Sequence, residues 1–108
     1  VDLSDSNYGL VSESIINAMK ESAVIVNTSR GELIDQKALL NALMDKRIAA
    51  AAVDVLHDEP EPINEMVRES IKACGPRLLI TPHISGFTEE SLPKVENFVT
   101  SLLLEELD

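Results

Sequence analysis

Residues 23–31 read Ala23-Val24-Ile25-Val26-Asn27-Thr28-Ser29-Arg30-Gly31. A short apolar, β-branched run of this kind has the pattern of a strand buried on both faces. It stops at once in small polar residues, an arginine and a glycine. The same arrangement recurs at Ile48-Ala49-Ala50-Ala51-Ala52-Val53, which ends at Asp54, and at Leu78-Leu79-Ile80, which ends at Thr81-Pro82-His83. Each run releases a polar side chain at its carboxyl end. In a parallel α/β sheet those ends lie along one edge, where ligands bind, so Arg30, Asp54 and His83 are predicted to converge on one cleft.

The segments between the runs read as helices. Ser12 is placed to cap a short helix through Met19, with Glu13 near its positive end. After Gly31, Glu32-Leu33-Ile34 reads as a brief extended piece, and Asp35 then caps a helix over residues 36–46 with Leu39, Leu40, Ala42 and Leu43 on one face. The alanine run favours helix by propensity, but a helix has just ended and Val53 and Val55 flank Asp54, so it is assigned as a strand. Residues 57–64, acidic and with two prolines, form a loop. Residues 64–73 have helical spacing at Met66, Val67 and Ile71. Thr88 opens a last helix reaching about Leu104, and because an interior proline costs about 3 kcal/mol, Pro93 places its start near Ser91 or kinks it. This order is that of βαβ units in a parallel sheet. No glycine-rich phosphate loop precedes any helix, and the predicted architecture is the second half of a doubly wound α/β fold.

The chain of 108 residues is long enough for one small domain. It is 44% hydrophobic but has only one tyrosine, two phenylalanines and no tryptophan, so its core must be aliphatic. A net charge of -10 speaks against nucleic acid and anionic membranes, which require a basic face, and suits small-molecule or protein partners. The single cysteine, Cys74, excludes an internal disulfide and fits a reducing, cytoplasmic setting. No apolar run approaches the roughly 20 residues that span a bilayer. The start, Val1-Asp2-Leu3-Ser4, reads as a chain continuing from upstream sequence.

Several residues have the chemistry of a site. A guanidinium such as that of Arg30 suits bidentate binding of a carboxylate, although an arginine so placed also fits a solvent-exposed loop. Gly31 signals a place where something approaches the backbone closely. His83 can exchange a proton near neutrality or serve as a structural histidine, and the carboxylate that would orient it is Glu59; His57 is a rival imidazole in the middle of the acidic loop. Asp54, among apolar residues, needs hydrogen bonds to be buried, either from a neighbouring loop or from a ligand amide. Ser4, Ser6 and Asn7 fit a plain turn or a cofactor contact. No metal site is predicted.

Together these stretches resemble the NAD-dependent D-2-hydroxyacid dehydrogenase family. Met19-Lys20 with Ala23 to Gly31 is similar to the family's M-K-x-x-A-x-x-I-N-x-x-R-G, with Val26 at the isoleucine position. Ile34-Asp35 and Ala38-Leu39 to Ala42-Leu43 resemble its D-x-x-A-L-x-x-A-L helix, Ala52-Val53-Asp54-Val55 with Glu59-Pro60 its D-V-x-x-x-E-P, and Thr81-Pro82-His83-Ile84-Ser85-Gly86 with Thr88 its T-P-H-I-x-G-x-T. Four pieces in order, with matching loop lengths, cover nearly the whole chain. Asn7 stands where a threonine is common, and residues 62–76 follow no strict family pattern. The sequence contains neither the dinucleotide fingerprint, nor the acidic residue that reads the adenosine ribose, nor the family's substrate domain.

The resemblance implies that residues 1–87 are the C-terminal half of a Rossmann NAD-binding domain and that 88–108 form a helix returning toward a substrate domain. It implies NAD as cofactor, a small 2-oxo or 2-hydroxy acid as substrate, and a homodimer in the intact protein. Arg30 would bind the substrate carboxylate, His83 would act as general acid or base, and Glu59 would pair with it. Asp54 would hold the nicotinamide carboxamide, helped by Thr28, Ser29, Ser85 and Gly86. A nucleotide-sensing or corepressor-like protein on the same fold is the alternative, since fold does not fix function. A flavodoxin-like or receiver-type domain fits poorly, because Arg30 and His83 stand where such domains carry acidic residues and a lysine.

Overall fold

The computed structural model describes residues 2–107. Strands β1 (Val24–Asn27), β2 (Ala50–Val53) and β3 (Leu78–Ile80) form a parallel sheet in the order β1-β2-β3. Helices α1 (Glu13–Ala18), α2 (Gln36–Met44), α3 (Glu65–Cys74) and α4 (Ser91–Leu107) alternate with the strands. This is the α/β, Rossmann-type arrangement predicted above.

Register decides the two faces of the sheet. Ile25 pairs with Ala51 and Asn27 with Val53, and all four are buried; Val24 and Val26 pair with Ala50 and Ala52 on the other face. The core joins Ile25, Ala51 and Val53 to Ile16 of α1, to Ala38, Leu39 and Leu43 of α2, to Ile48, and to Cys74 of α3. The expectation of strands buried on both faces is corrected: Val24 is 59%, Val26 67% and Leu79 62% exposed. Helices α1–α3 cover one face of the sheet, and nothing among the described residues covers the other. The alanine run is a strand despite its helical propensity, because ladders on both sides satisfy its backbone.

The helix ends follow local chemistry. Ser12 accepts from the Ile15 N–H, the Asp35 Oδ1 from Ala38 N at 3.0 Å, and the Asn64 Oδ1 from Val67 N at 2.9 Å, each satisfying a first-turn donor. Helix α2 ends at Met44, two residues before the predicted 46; the Asp45 N–H still bonds the Asn41 carbonyl, but Lys46 leaves the helix with φ 59°. Of Glu32-Leu33-Ile34, only Ile34 is extended. Residues 31–33 form a 3₁₀ turn, and the Ile34 segment then bridges to Val11. Before α4, Thr88 and Ser91 exchange side-chain-to-backbone hydrogen bonds at 2.9 and 3.0 Å, so Pro93 falls in the first turn of the helix, where a missing N–H costs little. Leu92, Val95, Phe98 and Val99 of α4 are exposed.

Candidate active site

Two polar side chains, Asn27 and Asp54, are buried among the described residues, 7% and 2% exposed. They stand at the carboxyl ends of adjacent strands, and the Asp54 N–H donates to the Asn27 carbonyl at 2.9 Å. Each organises one loop. The Asn27 Nδ2 donates to the Arg30 carbonyl at 2.8 Å and its Oδ1 accepts from the Ser29 N–H at 3.1 Å. The Asp54 Oδ1 accepts from the Thr81 hydroxyl and from the Ile84 N–H at 2.9 Å, and its Oδ2 from the Ser85 N–H at 2.9 Å.

Burial alone would raise the Asp54 pKa. The hydrogen bonds from Thr81, Ser85 and Ile84 outweigh it and hold the carboxyl well below the usual carboxylate range. Of the two alternatives that spacing left open, the structure shows Asp54 bonding a neighbouring loop.

The turn that Asp54 anchors carries His83, which adopts φ 56°, a conformation uncommon for a residue with a side chain. Its Nδ1 meets the Glu59 Oε2 at 2.8 Å. The other Glu59 oxygen accepts from the Leu56 N–H at 2.7 Å, so the carboxylate is fixed from its own loop before it meets the imidazole. Nε2 of His83 has no protein partner among the described residues and is the atom open to proton exchange.

Arg30, Glu59 and His83 line one cleft of about 350 Å³, together with Leu3, Gly31 and Pro60. The guanidinium Nη1 donates to the Ser29 carbonyl at 2.8 Å. Three predicted residues from three loops therefore do meet at the edge of the sheet. The expected convergence of Arg30, Asp54 and His83 is corrected at Asp54, which is not part of the cleft lining: its carboxylate is buried and taken up by Thr81, Ile84 and Ser85. Thr28 is exposed and Ser29 half-buried on the Asn27 turn; Ser85 is held by Asp54, and the Gly86 carbonyl accepts from the Ser91 hydroxyl at 2.6 Å.

Gly31 answers to a close approach, but by the chain itself. A Cβ there would lie 2.2 Å from the Leu56 carbonyl carbon and oxygen and 2.5 Å from the His57 nitrogen. The roles of Asn27 and Thr81 were missed from sequence, where an asparagine after three apolar residues reads simply as the end of a strand.

An imidazole oriented by a carboxylate, beside a guanidinium, can protonate or deprotonate an oxygen while the arginine holds an adjacent anion. The chain matches the family described as D-isomer specific 2-hydroxyacid dehydrogenase, NAD binding domain, over residues 1–85. D-3-phosphoglycerate dehydrogenase of Dictyostelium discoideum is 36% identical over 97 residues, 90% of this chain and 24% of that protein. A glyoxylate reductase structure from Paecilomyes thermophila has a TM-score of 0.79 at 32% identity, covering 100% of this chain and 31% of that one. D-lactate dehydrogenase with NAD+ from Lactobacillus jensenii has a TM-score of 0.73 at 30% identity, covering 86% and 30%. The chain thus spans about a quarter to a third of the length of these relatives. With most of its length matched, and in the order of the family's motifs, the chain belongs to the D-isomer specific 2-hydroxyacid dehydrogenase NAD-binding-domain family.

Proposed function

We propose that this chain supplies the nicotinamide-side half of the nucleotide site and the acid–base residues of a dehydrogenase that interconverts a 2-oxo and a 2-hydroxy acid. The observation carrying this reading is the Glu59–His83 pair at 2.8 Å in one cleft with Arg30. The residues fit a nicotinamide dinucleotide in part: Thr28, Ser29, Ser85 and Gly86 border the sheet edge, while a glycine-rich phosphate loop is absent from the sequence. When bound, the nicotinamide supplies or accepts the hydride.

The chain's own residues do the rest. Arg30 binds the substrate carboxylate and stabilises charge developing on the neighbouring oxygen. His83 gives a proton from Nε2 to that oxygen in reduction and takes it back in oxidation, while Glu59 holds Nδ1 and stabilises the imidazolium. Asp54 acts at one remove, through the 81–85 turn, whose backbone at Ser85 and Gly86 is offered to the carboxamide. Residues 1–87 form the nucleotide-binding half, and α4 leads toward a substrate domain, in a protein that we expect to be a cytoplasmic homodimer. The intact Arg30–Glu59–His83 set favours this over a sensing or corepressor role.

The test is His83→Gln in the intact protein. Turnover should fall by about 10²–10⁴-fold while NADH affinity changes little. Near-normal turnover would remove His83 from the proton step and the reading with it.

A further inference from the structure

A concavity of about 490 Å³, next to the Arg30–His83 cleft and sharing Glu32 with it, is lined in part by Tyr8, Gln36, His57, Asp58 and Val67. On its wall, side-chain donor atoms of Glu32, His57 and Asp58 all lie within 4.8 Å of one another. We propose that these three residues form a binding site for a divalent first-row transition ion of the zinc type.

The donors come from two segments held together by backbone. The Glu32 Oε1 accepts from the Asp58 N–H at 3.3 Å, and the Glu32 carbonyl accepts from the Gly9 N–H at 2.8 Å. Asp58 has φ 63°, which turns its carboxylate back onto the preceding residue. Its Oδ1 lies 3.0 Å from the His57 Nδ1. That separation is close to the roughly 3.3 Å between two ligands of a tetrahedral ion with bonds of about 2.0–2.1 Å.

The imidazole is already oriented. Its Nε2 is 2.7 Å from the Tyr8 hydroxyl, and the two rings pack edge to face at 86°. The His57 N–H donates to the Gln36 Oε1 at 2.9 Å. A partner on one ring nitrogen fixes the orientation of the ring, as the outer partners of metal-binding histidines do. Without an ion, the 3.0 Å contact to Asp58 places a proton on Nδ1; a cation would displace that proton, and Nε2 can then carry one and donate it to the Tyr8 hydroxyl, which accepts as readily as it donates.

Electrostatics point the same way. Among the described residues neither Glu32 nor Asp58 has a lysine or arginine partner, so two carboxylates share one imidazole in a chain of net charge -10. One nitrogen and two carboxylates suit a zinc-type ion with open positions for water. Calcium, which takes six to eight oxygens, is a poor fit. The ion would join the turn after Arg30 to the turn before Glu59, yet the assignment stands apart from the dehydrogenase reading.

The test is calorimetric titration of ZnCl2 into the 108-residue chain. Emission from Tyr8, the sole tyrosine in a chain without tryptophan, reports where the ion binds. One saturable site is expected, with a change in Tyr8 emission. His57→Gln and Glu32→Gln should each weaken it about tenfold or more, MgCl2 should bind far more weakly, and His83→Gln should leave it unchanged. The proposal is overturned by the absence of a saturable site, by equal affinity in His57→Gln, or by loss of binding in His83→Gln, which would put the ion on the Glu59–His83 pair.

Discussion

At the scale of single residues, Asp54 links stability to acidity at the site. Its carboxyl pKa is depressed by the hydrogen bonds from Thr81, Ser85 and Ile84 against the opposing effect of burial. The stabilisation is therefore fully present above the unfolded value near 4 and is lost as pH falls below it toward the folded value, because the unfolded chain then binds a proton that the folded chain does not. Thermal melts of the wild type and Asp54→Asn between pH about 5 and 3 should show a steeper loss with acid in the wild type. Parallel pH dependences would mean that Asp54 does not carry this linkage. The aspartate itself was legible in sequence as a candidate; its partners were not, because three of its bonds come from residues 27–31 positions downstream.

At the scale of elements, the loops after β1 and β2 must touch for the cleft to exist, and Gly31 is where they do. The Leu56–His57 backbone occupies the space a Cβ would need. Gly31→Ala should destabilise the chain by about 3 kcal/mol, the upper part of the usual cost of overpacking, and displace the 56–59 loop that fixes Glu59. A denaturant midpoint within error of the wild type would contradict this. The helices were largely readable because their caps are local: Ser12 and Asp35, both read as caps, each stand one residue before the helix they start, as does Asn64, whose capping role only the structure shows. The 3₁₀ turn at 31–33 was not, since Gly9 and Val11, from a distant segment, bond the carbonyls of Glu32 and Leu33.

At the scale of the whole molecule, the sheet has one helix-covered face and one open face bearing Val24, Val26 and Leu79, and α4 displays Leu92, Val95, Phe98 and Val99. Exposed apolar groups on this scale promote association, opposed by the net charge of -10. Sedimentation velocity of the isolated chain should show concentration-dependent association that grows with salt, as screening weakens the repulsion. A monodisperse monomer at high salt would mean that these surfaces are too small or too dispersed to associate. The reading of the strands as doubly buried failed here, because apolar side chains on both faces of a strand record that both are meant to be covered and not what covers them.

The sequence alone determined the order of elements, the Ser12 and Asp35 caps, the parallel sheet and two residues at its edge, Arg30 and His83, since each depends on local pattern and on the period of 2 or 3.6 along the chain. Only the tertiary structure decided that Asn27 and Asp54 anchor the two loops, that Gly31 yields to the chain's own backbone, and that Tyr8, Glu32, His57 and Asp58 gather on a second surface. Apart from the Asn27 turn, whose bonds reach only two and three residues along the chain, those outcomes depend on contacts between segments tens of residues apart. Spacing in the sequence does not encode such contacts; packing and hydrogen bonding of the folded chain do.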